Sequence, residues 1–333
     1  MKKLFLVFLI FLVGCSVKVS ETSSEEIGIS IFNENENLMV DFVPEGRVSI
    51  KEIIDVDFFH AIVISKTGEV NLISSDFYIN KNKSVFVTYE NRNIKNIEGI
   101  YLTDKYNSIT NAYFETKEYL KSDKKVMTVL LDGFSFNQFK ILNEKNDIPF
   151  LSKYFKYPAL SVYTPVTNAG YAAIITGQTP NINGVHDRSV REMNVDSIFE
   201  YANSNNKNSL LLEGDIKILD TEIEPELHID INKDKDTDDE MYKSALNAVN
   251  ENYDLIFVHF HGIDDRGHSY GPYSEETMEY IKIIDQYLLN LSKVWDGAII
   301  IVPDHGMHET SEGGGHGICV QSDMVVPYFI KEK

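Results

Sequence analysis

The residues best suited to chemistry in this chain are aspartates and histidines that directly follow apolar runs. Asp304 and His305 come just after the run Ala298–Val302, and a glycine-rich turn then leads to His316. An apolar run that stops at a proline is typical of a buried strand. Ligands in open α/β sheets bind beyond the carboxyl ends of the strands. The stretch therefore predicts half of a metal site at a strand end.

Matching ligands follow two other apolar runs. Asp132 ends the run Val126–Leu131, and Asp264 and His268 lie just beyond the run 254–260. Zinc takes imidazole and carboxylate ligands in roughly tetrahedral geometry, and its catalytic sites keep one position open. Two such ions about 4 Å apart can clamp both the attacking and the leaving oxygen of an in-line displacement. The candidate ligands together predict a centre of two divalent ions, most simply zinc.

Thr167 is the candidate nucleophile. It precedes the segment 169–176, which we interpret as a short helix that ends at Gly177. The free amides and the dipole at a helix N-terminus favour an anion there. An unassisted threonine hydroxyl is a poor nucleophile, but metal coordination can activate it. The alternative is that Thr167 only caps the helix, a role that threonine often takes.

The elements that must position these residues indicate an α/β fold. From Val126 onward, strand patterns alternate with longer helical patterns, which is typical of βαβ units and a mainly parallel sheet. Residues 27–118 hold short β-branched and aromatic runs separated by turn residues, which indicates a small sandwich or barrel. We predict a β-rich accessory domain over 27–120 and a metal-dependent catalytic domain over 121–333. The accessory domain is a spacer, or a carbohydrate- or protein-binding module.

The amino-acid composition limits the classes of partner that the chain can bind. The net charge of −20 argues against nucleic acid, because neutralising its phosphates needs basic clusters. A small phosphorylated substrate stays open, since bound divalent ions can reverse the field inside a cleft. The two cysteines, Cys15 and Cys319, support no disulfide framework, because Cys15 lies in the leader. We expect Cys319 to be a small, buried apolar residue.

The first residues of the chain indicate export. Two lysines precede the apolar run 4–13, which has the n-region and the h-region of a secretory signal. The run is too short for a comfortable transmembrane helix, which needs about 20 residues. Residues 12–15 read Leu-Val-Gly-Cys and resemble a bacterial lipobox. The resemblance implies a signal peptide over 1–14, a lipidated Cys15, a tether over 15–26 and an extracytoplasmic lipoprotein anchored to the membrane. The alternative is an ordinary signal peptide.

Five motifs in a fixed order resemble those of the alkaline phosphatase superfamily: DGF, TN…TGxxPxxxGV, DxxGHxxGP, DHGM and HG. The nearest branch is that of the type I phosphodiesterases and nucleotide pyrophosphatases, and the resemblance covers residues 126–333. It implies an alkaline-phosphatase-like sheet flanked by helices. It also implies a two-zinc phosphohydrolase that cleaves phosphodiester or pyrophosphate bonds of nucleotide-like substrates through a phospho-threonine intermediate.

The resemblance assigns a role to each ligand. One zinc ion would be held by Asp264, His268 and His316. The other would be held by Asp132, Asp304 and His305, and would also bind the oxygen of Thr167, the residue that takes up phosphate. We interpret Asp265 as a solvated acid. Three nearby histidines match no ligand position and are interpreted either as supports behind the metal ligands or as structural residues: His259, His261 and His308.

The chain departs from the branch at one substrate contact. Phosphodiesterases of this type usually place an Asn after the GxxPxxxG segment, where it contacts the phosphoryl group, and this chain has Arg188 there. Asn168 is a candidate for supplying the missing amide, and Lys217 is a further candidate phosphate contact. A phosphate monoesterase or a phosphonate hydrolase of the same superfamily is therefore an alternative. A lipoprotein that binds metal without catalysis is an alternative of another class.

Overall fold

The candidate ligands lie at one edge of a seven-stranded sheet. This sheet dominates the computed structural model of the chain, which describes residues 29–38, 46–82 and 84–333. Five neighbouring strands run parallel, and the first two strands in the order below add antiparallel pairings at one side. The strands in spatial order are β10 (Phe155–Leu160), β17 (Val325–Lys331), β14 (Ala298–Val302), β9 (Val126–Leu131), β13 (Leu255–Phe260), β11 (Ser209–Glu213) and β12 (Glu226–Leu227).

The three central strands are apolar along their whole length because helices cover both faces of the sheet. Every residue of β9, β13 and β14 is buried. A strand buried on both faces shows a continuous apolar run rather than an alternating pattern. The pairing register places Leu131 beside Phe260, and Val302 beside Leu130. The carboxyl ends of these strands therefore lie level with one another.

Helices pack on both faces of the large sheet. The longest, α10 (Glu275–Val294), begins after Ser274, whose hydroxyl accepts the amide of Thr277 at 3.2 Å. Its apolar side chains recur at helical spacing and are buried against the sheet. The helices after the first β-rich part are α2 (Asn111–Lys121), α3 (Phe136–Glu144), α4 (Pro149–Tyr154), α5 (Thr167–Thr176), α6 (Pro180–Asn183), α7 (Ile198–Ser204), α8 (Asp238–Ala248), α9 (Gly262–Tyr270), α10 (Glu275–Val294) and α11 (Gln321–Met324).

The N-terminal part holds two four-stranded sheets with an apolar core of their own. One sheet has the order β1 (Ser30–Phe32), β8 (Ile97–Thr103), β3 (His60–Ser65) and β4 (Val70–Ser74). The other has the order β2 (Gly46–Ser49), β5 (Tyr78–Lys81), β6 (Val85–Tyr89) and β7 (Arg92–Ile94), and the short helix α1 (Ile50–Ile53) follows β2. Buried Cys319 touches this part, since a Cβ at Gly99 would lie 2.5 Å from its sulfur.

The predicted fold class is confirmed, with a mainly parallel sheet flanked by helices after a β-rich part. The helix α2 crosses the predicted boundary at residue 120, and its Ala112 and Leu120 share an apolar cluster with Val126 of β9. The division at residue 120 stays a prediction. The signal peptide, the tether and Cys15 lie outside the described residues. Within the described ranges, no helix is long and apolar enough to cross a membrane.

Candidate active site

Three strand ends deliver the candidate ligands to one place. Asp132 directly follows β9, and Asp304 and His305 follow β14 after one proline. Asp264 and His268 lie on α9, which begins after β13, and their i, i+4 spacing places both on one side of that helix. A hairpin of β15 (His308–Thr310) and β16 (Gly313–Gly315) then leads to His316.

One group of ligands forms around His305. Its Nε2 lies 3.3 Å from Oδ1 of Asp132 and 3.4 Å from Oδ2 of Asp304. Oγ1 of Thr167 is 3.4 Å from the same nitrogen. These separations exceed the usual N–H···O hydrogen bond of about 2.9–3.0 Å. They match the distance of roughly 3.4 Å between two ligands that each sit about 2.1 Å from a tetrahedral ion.

The second group forms around Asp264. Its Oδ2 lies 3.3 Å from Nε2 of His268, and its Oδ1 lies 3.6 Å from Nε2 of His316. The rings of His305 and His316 stack with centroids 3.9 Å apart, so the two groups are neighbours. The structure therefore brings all six predicted ligands and Thr167 together in two adjacent sets.

The three ligand histidines all turn Nε2 into the site. The Nδ1 atom of each ring contacts a backbone carbonyl, and we assign the proton to that nitrogen, where it donates. This tautomer turns the lone pair of Nε2 toward the site, as is usual for metal-bound histidine, although in His316 that lone pair accepts from Arg188 at 2.5 Å. The contacts are those of His305 with Gly306, His268 with Gly314 and His316 with Pro165, at 3.0, 3.0 and 2.9 Å.

The carboxylates of the site lack partners that a metal ion would supply. Oδ1 of Asp132, Oδ1 of Asp264 and Oδ2 of Asp304 are buried without a hydrogen-bond partner. Burial and the charges of Asp132 and Asp264 raise the pKa of Asp304 well above its usual range. Burial also acts on Asp132, but its contacts with His259 and His261 hold the pKa of that carboxyl well below its usual range. Unpaired buried carboxylates are costly, so this donor set fits divalent ions.

Glycine and serine hold Asp304 in place. Its Oδ1 accepts the amide of Gly133 at 3.2 Å and the amide of His305 at 2.8 Å. Gly133 has a φ of +72°, and a Cβ there would lie 2.9 Å from the side chain of Asp264. Ser161 donates its hydroxyl to the carbonyl of Asp304. Glycine is therefore needed at position 133, which lies next to the side chains of Asp264 and Asp304.

Thr167 is the first residue of α5 and does not cap it. The N-cap residue is Val166, which has no side-chain cap, so the alternative of a capping threonine is wrong. Thr167 is buried, with 8% of its surface exposed. The first amides of a helix have no partner inside the helix and attract anions. The hydroxyl thus stands between an anion-attracting helix end and the ligands of the His305 group.

The approach of α5 to Asp304 yields a stability prediction. A Cβ at Gly170 would lie 2.6 Å from the carbonyl oxygen of Asp304. Helix propensity alone would make Gly170→Ala stabilising by about 1 kcal/mol, but overpacking against backbone costs about 1–3 kcal/mol. We expect a net loss of stability and weaker zinc binding, measured by thermal unfolding and zinc titration. The control is Gly267→Ala, whose Cβ would meet the flexible end of Met307. A more stable Gly170→Ala protein would contradict this packing.

The three candidate substrate contacts lie in different surroundings. Nη2 of Arg188 lies 2.5 Å from Nε2 of His316, so its guanidinium points into the site. Asn168 donates its amide to the carbonyl of Val190 at 3.1 Å and thereby holds the segment that carries Arg188. Lys217 instead pairs with Glu224, at 3.4 Å. Arg188 thus contacts a ligand, and Asn168 holds the backbone segment that carries Arg188. Lys217 forms its ion pair with Glu224 instead of contacting a ligand.

Two of the three histidines that match no ligand position lie next to a ligand, which fits the interpretation that they support it. His259 and His261 lie 3.4 and 3.5 Å from Oδ2 of Asp132. The sequence offered one signal of this contact. The two histidines lie two residues apart at a strand end, and alternate residues of a strand point to the same face. His308 pairs with Asp323 at 2.9 Å, outside the two ligand groups, and Asp265 is exposed as expected.

Residues 215–325 match the family model described as Type I phosphodiesterase / nucleotide pyrophosphatase. This segment contains five of the six predicted metal ligands, all but Asp132. The match confirms the predicted resemblance and enzyme class over that segment.

Curated relatives match either about a quarter of this chain or a longer part of it at lower identity. GPI ethanolamine phosphate transferase 1 of Neurospora crassa is 34% identical over 92 residues, which cover 25% of this chain and 9% of that protein. The Mus musculus protein of the same name is 32% identical over 94 residues, 26% of this chain and 10% of its own length. GPI ethanolamine phosphate transferase 2 of Candida albicans is 27% identical over 201 residues, 55% of this chain and 22% of that one. The chain thus spans less than a quarter of each relative.

Two solved structures are similar to part of this chain. Phosphonoacetate hydrolase from Sinorhizobium meliloti 1021, in complex with phosphonoformate, has a TM-score of 0.43 and 18% identity, and the match covers 56% of this chain and 57% of that one. Human ectonucleotide pyrophosphatase / phosphodiesterase 5 has a TM-score of 0.45 and 20% identity, with coverage of 56% and 58%. The similarity extends over little more than half of either chain.

Proposed function

We propose that this chain is a metal-dependent phosphohydrolase. Its substrates are phosphodiester or pyrophosphate bonds of small, nucleotide-like molecules, and the reaction passes through a phosphate ester of Thr167. The position of Thr167 carries the proposal, because its Oγ1 lies 3.4 Å from His305 at the N-terminus of α5. The family match over 215–325 supports the reaction class.

The residues present would hold two divalent ions, which we propose to be zinc. Asp264, His268 and His316 form one ligand set, and Asp132, Asp304 and His305 form the other. When bound, such ions polarise phosphoryl oxygens and neutralise the charge that develops in the transition state. The protein contributes the fixed tautomers, the buried carboxylates and the helix end.

The chemical step is a displacement at phosphorus followed by its reversal with water. Oγ1 of Thr167 attacks the phosphorus atom, an O–P bond forms, and the bond to the leaving alcohol or phosphate breaks. The proton of the threonine hydroxyl is taken up by the leaving group or by solvent. Water then attacks the same phosphorus, restores the hydroxyl of Thr167 and releases the phosphorylated product. The free amides at the start of α5 favour the anionic phosphoryl group in both halves of the reaction.

A substrate panel tests the proposal against its alternatives. Aryl esters that represent diesters, monoesters, pyrophosphates and phosphonates should be compared on one preparation whose bound metal is measured. We expect the highest kcat/KM with a diester or pyrophosphate. Bound metal without turnover of any substrate would favour the alternative of a metal-binding protein that does not catalyse.

The position of Arg188 favours a second candidate, a phosphate monoesterase. A guanidinium offers a rigid fork of donors that can bind two phosphoryl oxygens at once, and a monoester carries about one more negative charge than a diester. The carboxylate of the neighbouring Asp187 instead accepts the amide and the hydroxyl of Ser189, at 2.7 and 2.5 Å. Arg188 therefore reaches the site in place of the neutral amide that diesterases use.

We expect Arg188→Asn to lower monoester kcat/KM about tenfold or more, equivalent to roughly 1.4 kcal/mol, and to spare diesters. The reason is that the second phosphoryl charge loses its cationic partner. Initial rates with an aryl monoester and an aryl diester measure the two effects. Arg191→Asn is a matched control, because Arg191 donates to the carbonyl of Lys217 instead. Equal effects on both substrates, or none, would remove this role from Arg188.

The names of the curated relatives suggest a variant of the same chemistry. GPI ethanolamine phosphate transferases are named for moving an ethanolamine phosphate group. If an acceptor alcohol replaces water in the second step, the phosphate ester of Thr167 becomes a donor for transfer. Adding glycerol or another small alcohol to the assay would test this variant. A phosphorylated alcohol among the products would show transfer, and its absence with full hydrolysis would favour water.

We also propose that the chain is an extracytoplasmic lipoprotein anchored through Cys15. The apolar run followed by Leu-Val-Gly-Cys supports this. Cys15→Ala should lose lipidation and leave the membrane fraction, because the acyl chains that anchor a lipoprotein stably are attached to this cysteine. Fractionation after a high-salt wash measures the loss, with Cys319→Ala as the control. Unchanged membrane retention of Cys15→Ala would contradict the anchor.

A further inference from the structure

Residues 230–240, between β12 and α8, form a loop rich in side-chain oxygens. They read DINKDKDTDDE, so Asp230, Asn232 and Asp234 occupy every second position. This spacing matches the first three ligand positions of the calcium loop of EF-hand proteins, in which the seventh position supplies a backbone carbonyl. The loop differs from that pattern at two places, because Lys235 stands where the pattern has glycine and Met241 stands where it has the final glutamate.

The backbone of the loop makes the sharp turn that the pattern requires. Lys235 has a φ of +72°, the left-handed conformation for which the pattern uses glycine. The carboxylate of Asp230 accepts the amides of Lys233, Asp234 and Lys235, at 2.5, 3.2 and 2.9 Å. The chain therefore curls around the side chain of Asp230, although no glycine is present.

Two carboxylates in the first turn of α8 face this loop, and each has an oxygen without a partner. Glu240 is buried, with 6% of its surface exposed, and its Oε2 has no hydrogen-bond partner. Its Oε1 accepts the amide of Ile231 at 3.3 Å, which places the carboxylate against the loop. Oδ1 of Asp239 is also buried without a partner, and its Oδ2 accepts from the amide of Asn232 at 3.3 Å. Unpaired buried carboxylates are costly, so this position favours a cation.

We propose that residues 230–240 bind a calcium ion. Calcium takes six to eight oxygen ligands in flexible geometry, whereas magnesium demands a near-ideal octahedron and keeps several waters. The groups available are the side chains of Asp230, Asn232 and Asp234, the backbone carbonyl of Asp236 and the carboxylates of Asp239 and Glu240. None of them belongs to the ligand sets of the candidate active site, so the inference goes beyond the proposed function.

The loop adjoins the candidate active site. Asp230 and Asp236 line a cavity of about 410 Å³ whose wall also includes His261. Asp238, at the end of the loop, accepts the backbone amides of His261 and Gly262 at 2.9 and 3.0 Å, where α9 begins. The helix α9 carries two of the candidate zinc ligands. A calcium ion would therefore hold the loop and, through it, the start of this helix.

Basic side chains are the competing source of positive charge. Nζ of Lys243 lies 2.5 Å from Oδ2 of Asp239, and Nη1 of Arg266 lies 2.9 Å from Oδ2 of Asp236. Neither contact reaches Oε2 of Glu240, the buried oxygen that a calcium ion would neutralise. If basic side chains alone neutralise the loop, calcium should not bind to it.

Calcium titration of the full-length, zinc-saturated protein tests the site. Loading with zinc beforehand fills the active-site ligands, so calcium is offered other positions only. Isothermal titration calorimetry measures the stoichiometry and the Kd, and thermal unfolding measures the stabilisation. The comparison uses wild type, Asp234→Asn and Glu240→Gln. Asp215→Asn is the matched control, because it removes a carboxylate that lines the same cavity but lies outside the loop.

We expect wild type and Asp215→Asn to bind one calcium ion with a Kd on the order of 10⁻⁴–10⁻³ M, the range of weak loops of this type, and to gain in Tm. Asp234→Asn and Glu240→Gln should each bind at least about tenfold more weakly, because ligand charge sets the affinity. Asp234 is exposed, so Asp234→Asn decides the matter if Glu240→Gln does not fold.

Three results would overturn the calcium site. They are no binding by wild type at about 10 mM calcium, well above the expected Kd, tighter binding of magnesium than of calcium, and equal calcium affinity in wild type and Asp234→Asn. Each of these measurements reads binding or stability and none reads turnover. Failure of the calcium site would therefore leave the proposed reaction untouched, and failure of the reaction would leave the calcium site.

Discussion

Thr167→Ala is expected to lower kcat by roughly 10⁴–10⁶-fold, the scale seen when a nucleophile is removed from a covalent mechanism. The substitution deletes the only atom that we propose to accept the phosphoryl group, and it leaves the six ligands in place. Thr167→Ser should retain part of the activity because it keeps a hydroxyl at the start of α5. Steady-state rates with an aryl diester measure both variants.

Metal content is the control for the Thr167 variants. Both should bind as much zinc as wild type, which separates the loss of a nucleophile from the loss of the centre. Normal turnover by Thr167→Ala would mean that water attacks the substrate directly. The resemblance to enzymes with a phospho-threonine intermediate would then extend to the metal ligands alone.

His305→Ala is expected to cost several orders of magnitude in kcat and to reduce bound zinc. Its Nε2 lies 3.3–3.4 Å from Asp132 and Asp304, and it also lies within ligand range of Asp264 and His316. The loss of such a ligand leaves an ion poorly held and its carboxylates unpaired. Asp264→Ala should have a similar effect from the other group. Activity and zinc content should be measured together on each variant.

His308→Ala is the matched control, because His308 pairs with Asp323 outside the ligand groups. It should keep its zinc. A chelator should abolish the activity of wild type, and added zinc should restore it. Full activity in a preparation free of metal would contradict the proposal that two metal ions take part in the reaction.

Much of the fold and the identity of the candidate ligands could be predicted from sequence because they depend on local patterns. The run Ala298–Val302 is apolar along its whole length and ends at a proline, and the structure has a strand over the same residues. The helix Glu275–Val294 also depends on a local pattern, since its apolar spacing and its N-cap lie in one stretch of chain. Strands of a parallel sheet end at a common edge, so residues just beyond them could be expected to meet.

Features that depend on contacts between distant segments could not be predicted. Arg188 meets His316 across 128 positions of sequence, and only the folded loop shows that its guanidinium points inward. The contacts of Oδ2 of Asp132 with His259 and His261 could not be predicted for a similar reason. His259 and His261 match no family ligand, and their distance to Oδ2 depends on the pairing of β13 with β9. The predicted domain division at residue 120 also could not anticipate that α2 packs with Val126.

The most direct test of the central claim is to look for phosphate on Thr167. The zinc-loaded enzyme should be mixed with an aryl diester and quenched in acid within the first turnovers, before proteolysis and peptide mass spectrometry. We expect the peptide with Thr167 to carry the phosphoryl group with its remaining ester substituent, and this modification to disappear as substrate is exhausted. Rapid turnover with an unmodified Thr167 peptide throughout, or the same mark on another residue, would contradict it.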